Sequence, residues 1–185
     1  MAKKSKPSAR PLKKKAKVNP IPPGMRSITP HLVIKGASQA LEFYKKAFSA
    51  KELEKAPLPD GKLMHASIKI GDSVIMMADE FPGSNMKAPD SAGVTTVALH
   101  ICTKNVDKLW QRALDAGAKI AMPLDNQFWG ERFGQLLDPF GHQWSMSQRI
   151  KMSPKEMKEK EQQAMAMFSQ GELPGKSEAP HISAP

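Results

Sequence analysis

The chain repeats itself at an offset of 69 residues, and few features limit the available folds as sharply as an internal repeat. Ala37, Ala40, Leu41, Tyr44, Ala47 and Phe48 recur at spacings of three and four, which places them on one face of a helix over about 37–48. Val106, Leu109, Trp110, Ala113 and Ala116 occupy the equivalent places 69 residues later and predict a second helix over about 106–116. The match extends in both directions. His31, Leu32 and Lys35 map to His100, Ile101 and Lys104, and Gly61 maps to Gly130.

Each helix follows a strand-like run. In the first, over 27–35, Leu32 and Ile34 share one face while Thr29, His31 and Val33 share the other. Each helix is followed by three more strands, near 51–58, 63–70 and 73–79, then 118–127, 131–137 and 142–149. Asp60-Gly61, Gly71-Asp72, Trp129-Gly130 and Asp138-Pro139-Phe140-Gly141 punctuate them as hairpins. The predicted order is βαβββ, a linker near 81–93, then βαβββ, an α+β class. Each half makes a four-stranded sheet with one face under its helix. The open face requires a partner, either the equivalent face of the other half or that of a second chain. Ser153-Pro154-Lys155-Glu156 reads as a capping box opening a last helix to about Phe168, with a thin apolar stripe of Met157, Ala164, Met165 and Phe168.

This organisation divides the 185 residues into a basic tail and Pro-rich linker (1–26), a duplicated domain (27–149) and a C-terminal helix with a frayed tail (150–185). The net charge of +10 is uneven: residues 1–17 hold eight Lys and Arg and no acid, which leaves +2 for the remainder. Such a tail is expected to be disordered. It serves either solubility or weak, salt-sensitive, nonspecific contact with nucleic acid. No apolar run approaches the length of a membrane span, and no apolar segment follows the charged N-terminus as in a secretory leader. Cys102 is the single cysteine, which excludes a disulfide within the chain and a Cys-based zinc site, and the expected location is the cytoplasm.

Several stretches carry a family resemblance: Ile28-Thr29-Pro30-His31-Leu32, Leu41-Glu42-Phe43-Tyr44-Lys45-Lys46-Ala47-Phe48, Met64-His65-Ala66, Asp125 through Arg132, and Asp138 through Ser145. Together with the duplicated module they resemble the vicinal oxygen chelate superfamily of glyoxalases, bleomycin-resistance proteins and extradiol dioxygenases, and its PhnB-like branch in particular. The resemblance implies a cupped, eight-stranded mixed sheet built from two βαβββ modules, and pairing of modules across a homodimer. It also implies a divalent metal held by His, Gln and Glu from the first and fourth strands of each module. Those positions fall here on Thr29, Ala98, Ser145 and either Ile75 or Met76. None is a carboxylate, imidazole or Gln, so the usual metal site is expected to be missing.

Other polar residues remain on the predicted cup face. His31 and His100 lie two residues beyond the lost positions, on the same strand face, and His65 shares a face with Ser67 and Lys69. Such imidazoles bind a ligand or a metal, act as acid and base, or are simply hydrogen-bonded in the interior. In the stretch Gln127 to Arg132, Trp129 offers an apolar wall, Arg132 a cation for an anionic group, and Glu131 a proton acceptor. The alternative is an exposed Glu131–Arg132 pair beside a core Trp129. Trp144 and His142 face away from Ser145, and Cys102 is expected to be a buried small hydrophobe.

Three functions stay open. One is binding of a small, mostly apolar molecule in the cup, with Gln127, Trp129, Ser145 and the three histidines as lining and no metal or cofactor. Another is a lyase, isomerase or dioxygenase using a divalent metal on a displaced set of His31, His65 and His100. The third is nucleic-acid association through residues 1–17.

Overall fold

A computed structural model describes residues 18–170; the basic run 1–17 and the segment after 170 lie outside the described residues. Strand β1 (His31–Ile34), helix α1 (Ala37–Phe48) and strands β2 (Lys51–Pro57), β3 (Leu63–Ile70) and β4 (Ser73–Asp79) form the first module. Strand β5 (Ala98–Cys102), helix α3 (Val106–Asp115) and strands β6 (Lys119–Gln127), β7 (Glu131–Leu137) and β8 (Gln143–Arg149) form the second. A short helix α2 (Pro89–Ala92) lies in the linker, and α4 (Pro154–Ser169) follows the second module. The α+β class and the duplicated order are as the repeat predicts. Within the chain the eight strands form two sheets of four, ordered β1-β4-β3-β2 and β5-β8-β7-β6. In each, the first strand runs parallel to the fourth and the other pairs are antiparallel.

The repeat also reaches the side chains that start the helices. Gly36 precedes α1 in a left-handed conformation (φ 91°) and has no side chain with which to cap it. Asp79, at the end of β4, supplies the missing acceptor, taking the N–H groups of Gly36 (2.9 Å), Ala37 (3.1 Å) and Leu63 (2.7 Å). Gln148 stands 69 residues after Asp79, and its Oε1 accepts from Val106 N–H at 3.0 Å at the start of α3. In both modules the last strand therefore anchors the helix. The capping box on α4 forms as expected, with Ser153 and Glu156 each accepting the other's backbone N–H.

The two helices pack against each other, and their modules share one core. Tyr44 and Phe48 of α1 meet Trp144 of β8 with ring centroids 5.3 Å and 4.5 Å away, and Phe43 meets Phe140 at 6.1 Å. Asp138 is buried at the centre. Its carboxylate accepts from Tyr44 Oη (2.8 Å), Trp144 Nε1 (2.9 Å) and the N–H groups of Phe140 and His142 (both 2.9 Å). Arg112 of α3 donates from Nε to the Ala47 carbonyl at 2.8 Å, a second tie between modules. The Trp110 indole packs against Gly134 of β7, where an added Cβ would come within 2.7 Å of the indole and 2.9 Å of the Leu124 backbone.

Two substitutions test this core. Gly134→Ala is expected to destabilise the fold by about 1–3 kcal/mol through overpacking against Trp110 and a backbone that cannot retreat. Tyr44→Phe removes one donor to a buried carboxylate and is expected to cost about 2 kcal/mol. Urea denaturation of each variant measures both; no loss in either would contradict the packing described.

Candidate functional site

Strand alternation sorts each sheet into a helix-facing and an open side. On β5, Leu99 and Ile101 turn to the core, while Ala98, His100 and Cys102 are exposed on the open side. Strand pairing extends this into rows. His100 lies beside Ser145 and Gln135, Cys102 beside Ser147 and Phe133, and Arg149 beside Glu131, which in turn stands opposite Gln127.

His100 is the best-held of these residues. Its Nδ1 is 2.8 Å from the Ser145 hydroxyl and its Nε2 3.0 Å from the Ser147 hydroxyl, and its ring stacks on Phe133 at 6.0 Å. Phe133 also meets Trp129 edge-on at 5.7 Å. Trp129 is 44% exposed and donates its Nε1–H to Glu131 Oε2 at 3.1 Å. Gln143 and Gln135 are joined at 2.9 Å. The open side of this sheet is thus a polar floor with an aromatic wall. An open cavity of about 550 Å³ lies at its end, lined by Cys102, Lys104, Glu131, Ser147 and Arg149 among others.

The first module carries a sparser version. His31 and His65 lie on its open side with ring centroids 6.4 Å apart, and His65 Nε2 is 3.8 Å from Glu54. Partial burial, then repulsion from His65, lowers the His31 pKa below its ordinary value. His31 and His100 belong to different sheets, so the imidazoles fall into a pair and a single residue. A second cavity of about 290 Å³ runs between β1, the linker and β5, with His31, Lys87 and His142 on its walls.

The structure changes two sequence-based expectations. Arg132 does not join Glu131 on the open side, because consecutive strand residues point to opposite faces. Its guanidinium bonds Asp107 of α3 at 2.7 and 2.9 Å and Asn126 at 3.4 Å, which holds the Asp107 carboxyl below its usual range. It fastens the helix rather than facing a ligand. Cys102 is exposed on the cavity wall instead of buried, since the helix covers the opposite face of β5. Sequence alone does not mark Phe133, Gln135, Gln143, Ser147, Lys104 or Arg149 as site residues. Alternation outward from Ser145 and Glu131 points to most of them.

The register also relates the two modules at the positions where the family resemblance places metal ligands. His31 pairs with Met76 as His100 pairs with Ser145, so Met76, not the core residue Ile75, is the counterpart of Ser145. The four positions are Thr29, Met76, Ala98 and Ser145. A methyl, a thioether and two hydroxyls, one already bonded to His100, do not suit a hard divalent cation. Among the described residues no three His, Cys, Asp or Glu side chains are grouped to hold a metal ion. No helix among them is long and apolar enough to cross a membrane.

A model of the Glyoxalase/Bleomycin resistance protein/Dioxygenase superfamily matches residues 27–146. The chain belongs to that superfamily. It is 44% identical over 149 residues to an uncharacterized protein of Mycobacterium tuberculosis, covering 79% of this chain and 85% of that one. It is 27% identical over 150 residues to the protein YjdN of Escherichia coli, covering 69% and 97%. The fold is similar to that of TioX from Micromonospora, with a TM-score of 0.54 at 22% identity over 69% of this chain and 100% of that one. The PhnB protein of Bacillus cereus gives a TM-score of 0.54 at 21% identity over 66% and 99%. In this glyoxalase-like chain the superfamily's fold is retained.

A pH prediction follows from the histidines. Burial lowers the His142 pKa, against the opposing pull of Asp138. His31 is lowered too, so below the ordinary value of 6.5 the unfolded chain takes up protons that the folded one resists. Stability is therefore expected to fall as pH drops from about 7.5 to about 5.5, and less steeply in His142→Gln. Thermal melts at both pH values check this, and a rise in melting temperature on acidification would contradict it.

Proposed function

We propose that this protein binds a small, mostly apolar molecule on the open side of the β5-β8-β7-β6 sheet, without the divalent metal its superfamily commonly uses. The observation that carries the reading is the identity of the four metal-position residues. Thr29, Met76, Ala98 and Ser145 offer no imidazole or carboxylate, and Ser145 is engaged by His100. A lining of His100, Phe133, Trp129, Gln127, Gln135 and Ser145 combines an aromatic wall with a few polar anchors, the composition typical of sites that hold organic ligands.

The same reading includes a homodimer. Both open sides face away from the shared core. Strands β1, β2, β5 and β6 each pair on one edge only, and unpaired edges of this kind invite another chain. Ile28 (87% exposed) and Val97 (65% exposed) stand beside β1 and β5. A second copy related by a twofold axis, the commonest arrangement, would close one module's open side over the other's.

Elemental analysis of protein purified without added metal tests the first part. Less than about a tenth of an equivalent, with no thermal shift on adding Zn²⁺, Ni²⁺, Mn²⁺ or Fe²⁺, is expected. A stoichiometric metal lost in a His31→Ala/His65→Ala variant would instead support the displaced imidazole set. Light scattering on the eluting peak tests the second part: a dimer mass is expected, and a monomer at micromolar concentration would contradict it.

A further inference from the structure

The open side of the second sheet is graded along its strands. Ala98, Gln143 and Leu137 form a row without charge at one end, and His100, Ser145 and Gln135 form the next. Cys102, Ser147 and Phe133 come third, and Arg149 and Glu131 close the sheet, with Lys104 just beyond the end of β5. Lys104, Arg149 and Glu131 all line the 550 Å³ cavity. Among the described residues neither Lys104 nor Arg149 has an acidic side chain within 4.0 Å. Glu131 is turned to the Trp129 indole, which satisfies one of its oxygens.

From this we infer that the ligand of this face carries an anionic group, a carboxylate or a phosphate, seated between Lys104 and Arg149, with its apolar body against Phe133 and Trp129. The inference rests on the small-molecule reading above and adds a charge to it. Two cations with no acidic side chain within 4.0 Å, at the mouth of an open cavity, favour an anion, and the Arg149 guanidinium suits a two-oxygen group. The neighbouring aromatic pair gives the body of the ligand a flat surface to cover. Glu131 sets a limit. It repels a second negative charge on the aromatic side, so a singly charged head with an uncharged body fits best.

The first module shows that this end is not a consequence of the repeat alone. The position equivalent to Arg149 is Glu80. Its carboxylate bonds Ser91, Lys87 and Ala88 N–H, and these hold its pKa at about 2. Lys35 stands where the second module has Lys104, but Glu80 replaces Arg149, so the pair of cations is not repeated in the first module.

Binding of 2-naphthoate and of its neutral isostere 2-naphthamide to the full-length protein, followed by calorimetry and Trp129 fluorescence, tests the inference. Naphthoate is expected to bind at least about tenfold more tightly, with the advantage shrinking as salt rises. In Lys104→Gln/Arg149→Gln the two probes should bind equally, and in Glu131→Gln the preference for naphthoate should grow. Both sets of side chains are at the surface, and unchanged melting temperatures confirm that the variants fold. Equal binding of both probes to the wild-type protein would overturn the anionic inference while leaving the small-molecule reading standing. Failure of both probes to bind would overturn the two together.

Discussion

One buried carboxylate holds the architecture in place. Asp138 belongs to the second module, yet it takes a hydrogen bond from Tyr44 on the helix of the first, 94 residues earlier in the chain. Burial raises its pKa, and the donors from Trp144, His142 and Tyr44 work against that cost. Around it, Phe43, Tyr44, Phe48, Phe140 and Trp144 make one aromatic core shared by both modules. Because the modules join through their helix-bearing faces, their other faces must point away. That consequence places His31, His65 and His100 on surfaces open to a ligand or to a second chain.

The parts of this arrangement that were legible in the sequence are those set by periodicity. The 69-residue offset and the apolar stripes define both modules, because a stripe at helical spacing has few other interpretations. The Ser153–Glu156 capping box is local and was equally plain. What periodicity could not show depends on contacts between distant residues. Asp138 reads from sequence as part of a turn, since nothing marks Tyr44 as its partner. Asp79 and Gln148 read as strand ends, although their 69-residue spacing is itself part of the repeat.

The candidate site divides in the same way. His31, His65, His100, Gln127, Glu131 and Ser145 follow from strand alternation and lie on open sides. Adjacency in sequence groups Arg132 with Glu131, but alternation separates them, and Asp107 on α3 holds the guanidinium. Residue type favours burial for Cys102. Its position on the uncovered side of β5 outweighs that tendency. The same register shows Met76 beside His31 where the second module has Ser145 beside His100. The repeat symmetry thus makes Met76 and Ser145 counterparts with different chemistry.

What occupies the open side of the β5-β8-β7-β6 sheet decides the function of this protein. Crystals of protein prepared without added metal, measured with anomalous data and then soaked with divalent cations, examine that face directly. Density for an organic molecule against Phe133 and His100 is expected, with no anomalous peak within bonding distance of Thr29, Met76, Ala98 or Ser145. A metal bonded at those four positions, or an open side packed dry by protein side chains, would contradict this expectation.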